Sequence, residues 1–323
     1  MTRPKYLPDN FTLALLAVVA AASVLPCSGR LAGLLNSATN MAVALLFFLH
    51  GAKLSREAII SGLTHWRLHA VVMISTFALF PLLGLALKPA LLPLVTPDLY
   101  LGVLFLCTLP STVQSSIAFT SMARGNIAAA VCSASASSLL GIFLTPLLVG
   151  LMVSPQSGAA VSLDSVIKII VQLLLPFILG QIARRWIGAW IARHPALLRP
   201  VDQGSILLVV YTAFSAAVVE GLWRQVSLNA LVALVAISLL LLAIVLLMTW
   251  QASRRLGFSK EDEITIVFCG SKKSLASGVP IAKVLFPPQA IGLMILPLML
   301  FHQIQLMVCA VLAQRYAARP ASP

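Results

Sequence analysis

Charge is what this sequence has least of. Only 10% of its 323 residues are charged, and just nine are acids. A soluble domain carries roughly a quarter charged residues, so this chain has too little polar surface to face water on every side. Aromatic residues are sparse at 7%, whereas 60% of the chain is hydrophobic and mean hydropathy is +1.00. The five cysteines (Cys27, Cys107, Cys132, Cys269, Cys309) lack CxxC spacing and sit in apolar runs. They read as buried thiols rather than a disulfide or metal site. Paired carboxylates, HExxH, a Ser/His arrangement at apolar depth and a Walker loop are missing as well. These absences exclude a soluble enzyme, a DNA-binding protein, a disordered chain and drive by ATP. Neither a cofactor nor a nucleic-acid partner is expected.

What is present is a series of apolar runs of about 20 residues, each long enough to cross ~30 Å of hydrocarbon. Ten are expected, at 11–27, 37–53, 67–90, 98–122, 126–152, 165–184, 203–222, 227–250, 261–285 and 290–315. The chain is therefore an all-α, multi-pass membrane protein whose immediate partner is the lipid bilayer. The first run, Phe11 to Cys27, follows Arg3 and Lys5 as in a signal peptide. No small-x-small cleavage site follows it cleanly, and it is read as a retained helix.

The net charge of +13 suggests nucleic acid until the charges are located. Ten spans put both termini on one side. If that side is cytoplasmic, fifteen lysines and arginines lie inside: Arg3, Lys5, Lys53, Arg56, Arg67, Arg124, Arg184, Arg185, Arg193, Arg199, Arg254, Arg255, Lys260, Arg315 and Arg319. Five lie outside: Arg30, Lys88, Lys168, Arg224 and Lys283. This bias supports the orientation, with both termini cytoplasmic; the membrane expected is the bacterial inner membrane. Lys272 and Lys273 belong to neither side.

The chain also resembles itself. The fourth span opens Thr96-Pro97-Asp98 and runs through VLFLCTLPSTVQSSIAF, and the ninth opens Ser259-Lys260-Glu261-Asp262 and runs through TIVFCGSKKSLASGVPIA. Both begin with a hydroxyl N-cap and acid in the first turn. Both then run apolar to a cysteine (Cys107, Cys269) and break into a polar patch around Pro110 or Gly270. Each is fourth in a half of five spans, so the division is 1–160 and an inverted 161–323, forming one integrated transmembrane domain. Polar backbone at mid-membrane is tolerated where it lines a cavity or a protein-filled centre. The plainer alternative is a proline kink with hydroxyls bonded to the preceding turn.

The stretch from Thr108 to Pro146, with ARGN at Ala123–Asn126 and LTP at Leu144–Pro146, resembles the bile acid:sodium symporter superfamily. FCGSKKSLASGVPIAKVLF (Phe268–Phe286) and YTAFS (Tyr211–Ser215) look more specifically like its SBF-like branch, the one related to solute carrier family 10 member 7. The resemblance implies two inverted five-helix repeats divided into core and panel domains. It also implies broken fourth and ninth helices that cross, with substrate bound between core and panel. In sodium-coupled members a glutamate and a glutamine from the ninth helix are expected as ligands, with an asparagine and hydroxyls from the fourth and fifth. Here Val267 falls at the glutamate, Ile117 at the asparagine, Ala130 and Ala134 at the hydroxyls, and Thr76 at a glutamine of the third span.

Lys272 and Lys273 stand beside these losses. A lysine at mid-membrane costs ~2.5–3.5 kcal/mol on insertion scales, so the pair needs water, helix-end carbonyls or an anion. The preferred reading is that an ammonium replaces the sodium ion and leaves an anion-attracting centre; coupling to protons or to sodium both stay open. Ser271, Ser274, Thr112, Gln114, Ser115, Ser116 and Thr76 complete the candidate substrate or coupling site. Tyr211, Thr212, Ser215, His302 and Gln303 are candidates for a cleft, with Gln305 beside them on the tenth span. Serines 133, 135, 137 and 138 are expected to serve helix packing, and His50 to be an interfacial histidine. The expected function is secondary transport of a small organic anion by alternating access. The alternatives are a sodium-coupled organic-anion symporter and a non-transporting regulator of ion homeostasis. Substrate and oligomeric state are not written in the sequence.

Overall fold

The computed structural model describes residues 10–53, 65–153, 174–219 and 221–319. The described chain is helical, and no strand occurs among those residues. Apart from two four-residue turns, Lys88–Leu91 and Leu222–Gln225, the helices are α1 (Asn10–Val24), α2 (Gly29–Lys53), α3 (Trp66–Ala86), α4 (Pro97–Thr108), α5 (Gln114–Met122), α6 (Ile127–Met152), α7 (Leu175–Arg193), α8 (Pro195–Val219), α9 (Leu228–Arg255), α10 (Lys260–Gly270), α11 (Leu275–Leu285) and α12 (Pro288–Ala317). Six of the described helices are long and apolar enough to cross a membrane. Many of their large apolar side chains point outward, Leu34 and Leu228 among them, as a lipid-facing surface requires.

Several expected boundaries move. α2 starts at Gly29, eight residues before the expected 37, because Leu31, Leu34 and Leu35 extend its apolar pattern toward the N-terminus. The expected sixth span, 165–184, lies outside the described residues up to 173; its described part continues to Arg193, through Arg184 and Arg185. The fourth and ninth spans are broken as expected, each into two helices, α4/α5 and α10/α11. The expected starts of both hold: Thr96 Oγ1 accepts from Leu99 N at 3.4 Å and Ser259 Oγ from Asp262 N at 3.1 Å.

The chain divides into two compact units. The first contains α1, α2, α7, α8, α11 from Ala276, and α12 up to Leu296. Its tightest seam is α2 on α7. A Cβ added at Gly51 would lie 2.1 Å from Phe177 O, and one at Gly180 would lie 2.0 Å from Phe48 O. Only glycine lets these backbones approach so closely, the usual device where helices associate without a hydrophobic driving force. Tyr211 donates to Leu25 O at 2.8 Å, and Lys283 Nζ donates to Asn36 Oδ1 at 2.9 Å.

The second unit contains α3 to α6, α9, α10 and α12 from Pro297. Within it α4 is buried from Leu99 to Thr108 and α10 from Asp262 to Gly270. A helix apolar on every side belongs in the interior of a bundle, and these two half-helices fill the interior of their unit. At the start of α10, Glu263 accepts from Lys260 at 2.5 Å and from the Tyr316 hydroxyl at 3.1 Å, and Arg319 pairs with Glu261 at 2.9 Å.

Candidate functional site

A helix that stops inside a bundle leaves carbonyls without partners, and at apolar depth each must find another donor. α4 and α10 stop within reach of each other, and most of their last carbonyls are satisfied by side chains. On α10, Ser271 Oγ donates to Val267 O (2.6 Å), Ser116 Oγ to Phe268 O (3.2 Å), Ser111 Oγ to Cys269 O (2.6 Å) and Ser75 Oγ to Gly270 O (2.9 Å). On α4, Thr108 Oγ1 donates to Phe105 O (2.7 Å) and Thr145 Oγ1 to Thr108 O (2.9 Å). Leu106 O accepts from Leu109 N at 3.3 Å, and Cys107 O and Leu109 O receive Lys273 Nζ at 2.8 and 2.7 Å. The linkers also meet directly, Ser274 N donating to Pro110 O at 2.9 Å.

The two breaks mirror each other. Ser111 stands four residues after Cys107, and Lys273 four after Cys269. Each reaches the carbonyl of the opposite cysteine. Serine does on one side what an ammonium does on the other. Gly141 makes the first break possible, because a Cβ there would lie 2.7 Å from the Pro110 ring.

The third acceptor of Lys273 is Thr76 O, at 2.7 Å. α3 contains a π turn at Ser75–Leu79, in which Phe80 N bonds Ser75 O. The donor that would serve Thr76 O in that register belongs to residue 81, a proline, which has none. STFALFP thus creates a free buried carbonyl, and the lysine fills it. The ammonium has three protons and three carbonyls, with the Phe80 ring centroid 4.2 Å away. Its main chain is held as firmly. Gln305 Oε1 accepts from Lys273 N, and Gln305 Nε2 donates to Lys273 O, both at 2.9 Å.

Lys272 is held differently. Its Nζ lies 3.3 Å from Ser115 O, 3.8 Å from the Phe119 centroid and 5.5 Å from that of Phe268. A cation on an aromatic face gains up to ~2 kcal/mol when desolvated, whereas each charge-assisted hydrogen bond contributes ~1.5–3 kcal/mol. Lys273 is the more strongly bound by a wide margin. Both side chains are fully buried, and carbonyls and ring faces are their immediate surroundings.

The other candidates divide between the units. Thr112 Oγ1 lies 2.6 Å from Ser115 Oγ and 3.1 Å from Ser116 Oγ, forming a hydroxyl cluster at the start of α5. Gln114, beside it, is exposed. The Thr76 hydroxyl bonds its own helix at Val72 O, so Thr76 contributes its carbonyl instead. His302 Nδ1 lies 2.9 Å from Gln305 Nε2 and 3.4 Å from Lys273 O, behind the clamp; Gln303 is half-buried on the same helix. Tyr211, Thr212 and Ser215 belong to the first unit, where Thr212 bonds Leu208 O and lies 3.4 Å from Thr39 Oγ1. Ser215 is buried there with its hydroxyl unpaired.

Ser133 and Ser137 do more than pack, bonding His69 Nδ1 at 2.6 Å and Ser111 N at 2.9 Å. All five cysteines are free and buried, as their apolar setting predicts. Ile117 and Ala130, where the resemblance expects sodium ligands, share an apolar cluster with Leu68, Val72, Ile266 and Cys269. Sequence reasoning missed Ser75, Ser111 and Pro81, and set Gln305 only beside the cleft candidates of the tenth span. Pro81 carried a readable signal, a missing N–H one turn beyond a polar Ser-Thr pair.

Discontinuous helices that meet inside a bundle of membrane-length apolar helices characterise membrane transporters. The chain belongs to the SBF-like CPA transporter family, matching it over residues 9–318. It is 68% identical over 319 residues to PA2026 of Pseudomonas aeruginosa, covering 99% of this chain and 96% of that one. It is 61% identical over 311 residues to YfeH of Escherichia coli, which carries a provisional symporter name, covering 95% and 92%. Sodium/bile acid cotransporter 7-A of Xenopus laevis is 30% identical over 309 residues, covering 94% and 90%. The protein is an integral membrane transporter of the bile acid:sodium symporter type.

Proposed function

We propose that this protein is a secondary active transporter of small organic anions, working by alternating access in the bacterial inner membrane with both termini in the cytoplasm. The reading takes ten spans in two inverted repeats, 1–160 and 161–323. It identifies the unit of α3–α6, α9 and α10 as the core and the unit of α1, α2, α7 and α8 as the panel. The exchange of Ser111 and Lys273 between opposite cysteine carbonyls supports the inverted repeat.

One observation carries the functional reading. The main-chain oxygens at the end of α4, a ready cation site, are taken by the ammonium of Lys273. A built-in cation supplies the positive charge that relatives named for sodium would draw from solution, and a second ammonium stands beside it on Lys272. Among the described residues no carboxylate contacts either ammonium, and a positive site of this kind suits a carboxylate or sulfonate cargo. Ser271, Ser274, Thr112, Gln114, Ser115, Ser116 and Thr76 belong to this reading as its polar surroundings.

The name of the Xenopus relative favours a second reading, sodium-coupled symport. Proteoliposomes decide between them. Uptake of radiolabelled benzoate, succinate or taurocholate is measured with sodium or choline outside, with and without a pH gradient. Uptake indifferent to sodium supports the proposal, and uptake that requires it supports the second reading. Silence across the panel removes both and leaves a regulatory protein.

A further inference from the structure

We infer that the two adjacent lysines have separate tasks: Lys273 is a fixed cation that belongs to the backbone of the break, and Lys272 is the mobile one that meets the carboxylate or sulfonate of the cargo. This rests on the anion-transport reading and names the residue that performs it.

The geometry of the two ammonium groups is the reason. All three N–H bonds of Lys273 are spent on carbonyls at 2.7–2.8 Å, drawn from α3 and α4. Its amide and carbonyl are clamped by Gln305. An anion approaching it would meet a shell of carbonyl oxygens, which repel it. Lys272 has one acceptor, at 3.3 Å, and two ring faces. Ring faces hold a cation without neutralising it, so the charge of Lys272, buried as it stands, remains uncompensated. The acceptor belongs to Ser115, whose side chain is half-buried on the first turn of α5, next to exposed Gln114. The hydroxyls of Thr112 and Ser115 stand at the same turn, where the N-terminal end of a nine-residue helix adds favourable potential for an anion. Leaving the ring faces for an anion there costs Lys272 little, whereas Lys273 has no better place to go.

The test uses the whole protein in nanodiscs. Reductive methylation with formaldehyde and cyanoborohydride is followed by fragmentation mass spectrometry that separates the adjacent residues. Lys272 should be methylated at least several-fold faster than Lys273, and benzoate or benzenesulfonate should slow Lys272 alone. Equal rates, a faster Lys273, or no protection of Lys272 by either anion overturns the assignment, whatever the transport assay shows. In proteoliposomes Lys272→Gln should raise the KM for radiolabelled benzoate by about tenfold, with Lys272→Arg restoring most of it. If the wild type takes up benzoate and Lys272→Gln leaves KM unchanged, the division of labour is wrong while the transport reading survives. Absent uptake by the wild type sinks the transport reading, and the methylation result then judges the lysines separately.

Discussion

Replacing each lysine in turn by methionine, which keeps an unbranched chain one atom shorter and removes its charge, should give two very different proteins. In Lys273→Met three buried carbonyls, Thr76 O, Cys107 O and Leu109 O, lose their donor together. An orphaned buried acceptor costs roughly 1–3 kcal/mol, so the three together cost about 6 kcal/mol. Removing a charge from membrane depth returns ~3 kcal/mol, and the net loss is about 3 kcal/mol. In Lys272→Met one long hydrogen bond and a cation–π contact of at most ~2 kcal/mol disappear. The same ~3 kcal/mol is returned, so the change is near zero. Stability shifts of 1 kcal/mol move the melting point by ~2–4 °C in chains of 150–250 residues and by less in longer ones. Lys273→Met should therefore melt roughly 5 °C below wild type, and Lys272→Met close to it. Intrinsic-fluorescence melting in one detergent at one scan rate measures this, since unfolding of such proteins is commonly irreversible. Equal melting points for the two variants, or a lower one for Lys272→Met, would falsify the idea that Lys273 completes the backbone of the broken helix.

The remaining predictions concern the same centre. Gln305→Leu strips both partners from the main chain of Lys273 and should cost about 2–4 kcal/mol, visible as a lower melting point and a smaller yield of monodisperse protein; an unchanged melting point would show that the clamp is incidental. Gly141→Val drives a side chain into the Pro110 ring and should destabilise by about 1–3 kcal/mol through overpacking, whereas the same change at Gly204, with nothing within 4 Å, should be much milder. Exchanging choline for sodium at constant ionic strength should leave the melting point unmoved, because Val267, Ile117 and Ala130 offer a cation no side-chain oxygen; a sodium-dependent rise would restore the sodium-coupled reading.

Membrane residence, the helical character of the long apolar runs, and the place of the two breaks were legible in the one-dimensional chain. The reason is that each depends on local pattern: length against bilayer thickness, a hydroxyl and an acid at a helix start, a proline or glycine inside an apolar run. The lysine pair was legible as an anomaly too, since two cations at mid-membrane need partners and the nine acids fall near span ends. Which partners they find was not legible. Lys273 is served by residues 164 to 197 positions away, and no periodicity reports such an approach. Its neighbour Lys272 has the same residue type and burial, yet successive side chains leave the backbone in different directions, one toward carbonyls and the other toward ring faces. Gln305 looked like any polar residue of an apolar helix until α12 brought it against the break. Local chemistry thus decided that the helices must break and that a cation stands there; only tertiary packing decided which free carbonyls share an ammonium, because a hydrogen bond exists only where two distant segments arrive within about 3 Å.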